Sequence, residues 1–518
     1  MILTIDLGTS GPKVALFSDN AEYIDSVFEV TETLILSSQA VEQSPQDWWR
    51  AISLASKKLL AKTKVDPAQI KIISTTAQWS GTVAIDKNGE PIRNAMIWMD
   101  TRGAEPLKKL MSGLIQLDGY ELRKILTWLY KTNGAPGLAG KDPLAHILYL
   151  KEHEPDVFAK AMKFLEPVDY LTNRLTGKLT IADDIVASFH TITVHWLTNN
   201  RNLSKIGYDK TLLKWSGIPR EKLPNLVPQN SKIGTLDAKS ASELGLCEGT
   251  EVLIGSSDIM SAAIGSGAVT PKLPHVYIGT SSWLVCHLEH RVTDLSHAMV
   301  TLPSALPGLS LLTNEQECSG NSLKFLREKI FQIDDQDQFY DWISKEVSKI
   351  PPGSEGLVFL PWLIGERSPI EDSHVRGGFY NLSLSHSREH MARAVLEGVC
   401  LNLKWLFHYT EKNSKTVFDR IHFIGGGAQS ELWSQIMADV LGVDVLQVEH
   451  PIMANSQGAA FLAAIATGKL TIDQIPSIVK IKRTFKPAIE NRKLYEDRFK
   501  IFVKIYKQNK KIFKELNS

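Results

Sequence analysis

Cysteine is scarce in this chain. Cys247, Cys286, Cys318 and Cys400 are the only four in 518 residues, and no two form a CxxC pair. That spacing argues against a zinc knuckle or a disulfide framework and points to reduced, partly buried thiols. An excess of one charge is also missing: 58 Lys and Arg face 57 Asp and Glu, a formal charge of +1, so there is no footprint for nucleic acid or an anionic membrane. No uncharged apolar run approaches the roughly 20 residues that a membrane helix needs. The chain opens on a strand-like segment, residues 2–6, with no basic leader, and the expectation is a cytoplasmic protein. The basic stretch around Lys504, Lys507, Lys510 and Lys511 alternates with apolar residues at helical spacing and reads as the wet face of a final helix.

What is present is ordinary in bulk and specific in pattern. At 43% apolar and 22% charged the composition is that of a globular protein, and the length suits two to four domains, at roughly 100–200 residues each. Ile2-Leu3-Thr4-Ile5-Asp6 is β-rich, Gly8 to Gly11 punctuates, and Val14-Ala15-Leu16-Phe17 resumes, which predicts a hairpin with a small-residue tip. A third strand is expected over 22–30, a helix capped by Ser44 over 45–62, and a strand over 70–76. Val276-Tyr277-Ile278-Gly279-Thr280-Ser281-Ser282 repeats the sense of the first tip far downstream and is followed by a strand over 283–288. A helix over 389–409, a strand over 421–424, Gly425-Gly426-Gly427 and a helix over 431–441 complete a second αβ series. The chain therefore reads as an α/β duplication, with domains at 1–260 and 261–518 facing each other across a cleft. The seam near 255–275 holds Gly265, Ser266 and Gly267, which suit either a hinge or a glycine-capped helix end.

Several motifs carry two readings. A Gly-Thr-Ser tip can cradle phosphate oxygens on backbone N–H groups or simply close a hairpin. Asp6, at the strand end, is a natural partner for hydrated Mg²⁺ beside phosphates. The second tip at 279–281 strengthens the phosphate reading, because two such loops can grip one polyphosphate. Gly425-Gly426-Gly427-Ala428 allows either close approach of a flat ligand such as adenine or tight strand–helix packing. Asp258, after Gly255-Ser256-Ser257, is either a proton acceptor or a helix N-cap. Gly134 to Lys141 is no Walker A loop: the spacing is wrong, and Asp142 stands where Ser or Thr would ligate magnesium.

Taken together, these motifs resemble the FGGY family of carbohydrate kinases. The phosphate-loop segment is Asp6-Leu7-Gly8-Thr9-Ser10-Gly11-Pro12-Lys13, and the sugar-side segment is Gln78-Trp79-Ser80-Gly81 with Trp98-Met99-Asp100-Thr101-Arg102. Gly255 to Asp258, Gly279-Thr280-Ser281, Gly365-Glu366-Arg367-Ser368-Pro369, Gly425-Gly426-Gly427-Ala428 and Gly458-Ala459-Ala460 follow in order. The resemblance implies the duplicated actin-like, ribonuclease-H-like fold around a central cleft, and ATP-dependent phosphorylation of a small sugar with Mg²⁺. It implies that Asp6 organises the metal, that Thr9, Ser10 and Lys13 hold the transferred phosphate, and that Gly279 and Thr280 face it. Gly320, Gly426, Gly427 and Glu431 would line the nucleotide pocket, and Asp258 would be the base. Gln78, Trp79, Ser80, Asp100 and Arg102 fall where the family shapes its sugar pocket, with Arg102 alternatively a structural ion-pair partner.

Departures bear on the sugar. Xylulokinases of the family commonly carry Met-His, and its glycerol kinases Arg-Glu, where this chain has Trp79-Ser80. Ile259 replaces a common Gln, and Met453 and Gln457 stand where Glu and Leu are frequent. The layout is closest to the xylulokinase-like branch, so a pentulose is the first expectation and another ketose or polyol the second. A non-catalytic nucleotide-binding protein on the same fold is the rival, and a homodimer is entertained as the assembly.

Overall fold

β1 (Ile2–Gly8) and β2 (Gly11–Phe17) form the expected hairpin, paired from Ile2 with Phe17 to Gly8 with Gly11. The computed structural model describes residues 1–189 and 196–517. β3 (Tyr23–Phe28) adds antiparallel to β2, and α1 (Pro45–Thr63) starts where the sequence places it, with Ser44 Oγ accepting from Asp47 N at 3.2 Å. Pro45 suits the first turn because its missing N–H has no helical partner there. The expected strand over 70–76 occupies Ile72–Ala77.

The chain divides into two compact units that are not contiguous in sequence. One comprises Met1–Gly265, Leu302–Leu309 and Asn455–Ile478, and the other Ser266–Thr301, Ser310–Ala454 and Val479–Ser518. The first division therefore falls after Gly265, where the helix Asp258–Gly265 ends, and Gly267 follows with φ 78°.

The duplication is visible strand by strand. In the first unit β3, β2 and β1 run antiparallel to their neighbours, Ile72–Ala77 lies parallel to β1, Glu251–Leu253 lies parallel beyond it, and Lys232–Thr235 closes that edge antiparallel. The second unit repeats this order with Ser310–Thr313, Ser282–Leu288, Pro274–Ile278, Arg420–Ile424, Asp444–Val448 and antiparallel Ile481–Phe485. Each central strand is buried on both faces, as parallel strands covered by helices must be.

The helix Glu431–Leu441 matches its expected span, whereas the one expected over 389–409 runs Arg388–Ser414. No glycine or proline stops it after Tyr409, and it ends where Lys415 turns left-handed at φ 56°. The final helix, Arg492–Asn517, keeps its lysines exposed and buries Tyr495, Phe502 and Tyr506. Cys247 is exposed, the other three cysteines are buried, and all four are free. Among the described residues no helix is long and apolar enough to cross a membrane.

Candidate active site

Strand register assembles the first group of residues. Asp6 pairs with Thr76, and Thr76 pairs with Ser256 on the neighbouring parallel strand, Ser256–Ser257. The carboxyl ends of three parallel strands thus lie side by side, the usual place for a ligand in such sheets. At about 4.8 Å per strand, the Cα atoms of Asp6 and Ser256 are roughly 10 Å apart. Asp258 follows at the first position of the helix Asp258–Gly265, half-buried, with Oδ1 accepting from Ile259 N at 2.8 Å.

Asp6 is 5% exposed, and burial pushes its carboxyl above the usual range. Lys13, opposite it in the hairpin with Nζ 3.7 Å from Oδ2, and the Asn455 side chain both oppose that rise. Asp6 Oδ1, Thr76 Oγ1 and Asn455 Oδ1 are nevertheless buried with no hydrogen-bond partner. Orphaned oxygens are costly in a protein interior, so this corner fits a hard cation that takes oxygen ligands. No cluster of three or more His, Cys, Asp or Glu suited to a metal occurs among the described residues, and Asp6 is the carboxylate at this corner.

Between β1 and β2 the tip is held tightly. A Cβ on Gly11 would fall 2.0 Å from Glu29 O, and φ is 141°, so only glycine lets the end of β3 approach this closely. Ser10 is exposed, and its carbonyl accepts from Thr31 N. Thr9 is engaged within the protein: its hydroxyl donates to Gln78 Oε1 at 3.2 Å and accepts from Trp98 Nε1 at 2.9 Å.

The expected sugar-side residues separate into two groups. Gln78 is 2% exposed, its amide bonded to Thr9 and Gln43. Asp100 is fully buried and accepts from Val41 N and from the Arg102 backbone and guanidinium. Arg102 also bonds Glu42, which bonds Arg93, which reaches Glu154 at 2.6 Å. Carboxylates on either side hold the Arg102 guanidinium firmly charged. Asp100 and Arg102 are therefore the core of an ion cluster, an arrangement that matches the ion-pair alternative for Arg102. A fully buried charge persists only when paired in this way.

Trp79 and Ser80 are half-buried. Trp79 packs on the apolar cluster around Met96, Leu107 and Trp128, while Ser80 adopts φ 70°, donates N–H to Glu166 at 3.1 Å and donates Oγ–H to Lys141 O at 2.9 Å. Lys141 lies 5.9 Å over the Trp98 ring, and Asp142 caps the next helix position and accepts from Gly137 N, in keeping with the rejected Walker loop. Gln43, Glu166, Asn455 and His146 were not found by sequence reasoning. His146 donates to Asp100 O and accepts from Thr82, and burial lowers it to about 4.

In the second unit Ile278 and Ile424 end neighbouring parallel strands, so the 279–281 tip and the 425–427 turn emerge together. Thr280 is exposed, and its carbonyl accepts from Ser319 N and Asn321 N. Gly320 is half-buried and donates N–H to Gly279 O at 2.9 Å. Gly427 is packed on Ile278, whereas Gly426 is exposed and a Cβ there would meet only Ile278 O, at 4.0 Å. Glu431 is exposed and paired with Arg483 at 2.7 Å.

Comparison with known proteins agrees with this arrangement. Residues 1–265 match the family model described as FGGY family of carbohydrate kinases, N-terminal domain, and 275–467 match its C-terminal domain. The xylulose kinase of Staphylococcus epidermidis is 30% identical over 100% of this chain and 98% of that protein. The gluconokinase of Bacillus subtilis is 27% identical over 97% and 95%. A ligand-bound xylulose kinase from Lactobacillus acidophilus superimposes with a TM-score of 0.85 at 24% identity, covering 100% of both chains, which shows the same fold. The duplicated sheets, the glycine tips at the strand ends and both domain matches make this chain a member of the FGGY family of carbohydrate kinases, phosphotransferases that use ATP.

Proposed function

We propose that this kinase phosphorylates a pentulose, xylulose foremost, with Asp258 as the proton acceptor and Asp6 as the metal-organising carboxylate. The carrying observation is the register that lines up Asp6, Thr76 and Ser256 at one sheet edge, with Asp258 just beyond. That register brings both carboxylates to the carboxyl end of the same parallel strands, where ligands bind in such sheets. The choice of pentulose is supported by relatives named xylulose kinase at 27–30% identity along the whole chain.

In this reading the tip at residues 8–11 offers backbone N–H groups and the Ser10 hydroxyl to the transferred phosphate, with Lys13 nearby. Asp258 takes the proton of the sugar hydroxyl as its oxygen bonds to the γ-phosphorus, and the bridging P–O bond to ADP breaks. Bound Mg²⁺, held through Asp6, would supply neutralisation of phosphate charge. Within the second unit, Thr280, Gly279 and Gly320 are the phosphate contacts of the nucleotide, and exposed Gly426 next to Gly427 is the adenine platform, with the Glu431–Arg483 pair beside it. Trp79 gives the sugar's carbon face an apolar wall, and Ser80 can still accept one hydrogen bond.

A coupled ADP-release assay over xylulose, ribulose, gluconate, glycerol and pentitols tests this, in the parent chain and in Trp79→Ala. Xylulose should give the highest kcat/KM, and Trp79→Ala should reorder the panel. A parent chain that prefers gluconate overturns the pentulose. An unchanged ranking with stability reduced by the roughly 3–5 kcal/mol of a core truncation makes Trp79 a packing residue only.

A further inference from the structure

Gln43 has no place in the reaction as described so far, yet it is 0% exposed and spends every hydrogen-bonding group it has. Its Nε2 donates to Thr9 O at 2.7 Å and Thr33 Oγ1 at 2.8 Å. Its Oε1 accepts from Trp48 Nε1 at 3.0 Å and Gln78 Nε2 at 2.7 Å. Two of these partners have a single polarity: a backbone carbonyl only accepts and an indole N–H only donates. The Gln43 amide is therefore held in one orientation by chemistry that no exchange of its nitrogen and oxygen can satisfy.

That polarity is passed on. Because Gln43 presents an acceptor, Gln78 must turn its NH₂ toward it, which leaves Gln78 Oε1 facing Thr9 Oγ1 at 3.2 Å. Thr9 must then donate its one proton to Gln78, and a lone pair takes the Trp98 N–H at 2.9 Å. The relay begins and ends on an indole N–H, at Trp48 and Trp98. It also ties the phosphate tip to both sugar-side segments, since Gln78 precedes Trp79 and Trp98 precedes the ion cluster of Asp100.

We propose that Gln43 is a positioning residue for phosphoryl transfer: by setting the hydrogen-bond polarity through Gln78 to Thr9, it holds the tip so that backbone N–H groups and Ser10, not the Thr9 hydroxyl, meet the phosphate. This rests on the reading of residues 8–11 as the phosphate loop. Networks of this kind stiffen a site when every member is satisfied, and a tip displaced by a fraction of an ångström loses alignment with the acceptor.

A double-mutant cycle on the full chain tests it, using Thr9→Val, Gln78→Leu and the pair, with kcat read at saturating ATP and xylulose and thermal unfolding alongside. Each single variant should lower kcat on the order of tenfold, and the pair no more than about threefold further, because both remove one shared hydrogen bond. Gln43→Glu keeps the size and the acceptor but cannot donate to Thr9 O. It should lower kcat by a similar factor with KM for the sugar within about twofold. Multiplicative losses in the Thr9/Gln78 pair, or full kcat per folded molecule in Gln43→Glu whatever its melting point, would overturn the relay. Failure of the phosphate-loop reading shows differently, as undiminished turnover in both Asp6→Asn and Ser10→Ala.

Discussion

Gly458 is where a single methyl group should reach the chemistry from outside the site. It lies in the helix Ala454–Ala466 against the backbone of the helix Asp258–Gly265, and a Cβ there would fall 1.9 Å from Ser261 O, 2.6 Å from Ser261 C and 2.9 Å from its Cα. Backbone atoms cannot rotate away as a side-chain end could. Reaching even 3.4 Å, an ordinary contact, requires the helices to part by about 1.5 Å. One helix begins with Asp258; the other carries Asn455, three residues before Gly458 and so on the same face, against Asp6. Gly458→Ala should therefore cost about 1–3 kcal/mol of stability as an overpacking change. It should also lower kcat on the order of 10²-fold through displacement of Asp258 from its acceptor. Thermal unfolding and steady-state kinetics with saturating ATP and xylulose read the two effects separately. A variant with reduced melting temperature but kcat within about twofold of the parent would refute the coupling between this helix contact and the site.

Asp258→Asn keeps the shape and removes the proton acceptor, so turnover should fall about 10²–10⁴-fold with nucleotide affinity, measured by calorimetry, little changed; near-normal turnover removes Asp258 from the mechanism. Asp6→Asn should raise the Mg²⁺ concentration needed for half-maximal rate, and an unchanged magnesium dependence leaves Asp6 as a strand residue only. His146 and His287 are buried neutral, each lowered to about 4 by loss of water. Depressed below the ordinary value near 6.5, each contributes stability that is present above that pH and is lost as pH falls toward 4. Denaturant titration should show roughly 2 kcal/mol less stability per histidine at pH 5 than at pH 7, and His146→Gln should remove one share; an unaltered pH dependence in that variant would refute the assignment.

Much of the fold was legible because its signals are local. The glycine tips at residues 8–11 and 279–281, Ser44 before Pro45, and the strand-glycine-helix run through Gly425 each write a turn, cap or strand end into a few consecutive residues. Backbone propensity and short-range hydrogen bonds decide those elements. The family's order of motifs was readable for the same reason. Its non-contiguous units were not, since nothing in residues 455–478 by themselves says that they pack with residues 1–265.

The partners of the polar side chains were set only by tertiary structure. Asp100 and Arg102 carry the right chemistry for a sugar, and which task they perform depends on Glu42 and Arg93 arriving beside them and on complete exclusion of water. Thr9 meets Gln43 across 34 residues, Gln78 across 69 and Trp98 across 89. The sequence by itself determined the elements, the duplication and the family, because those rest on neighbours along the chain. Which partner each polar side chain meets was decided by long-range burial and by the fixed polarity of carbonyl and indole groups, and these exist only after the chain has folded.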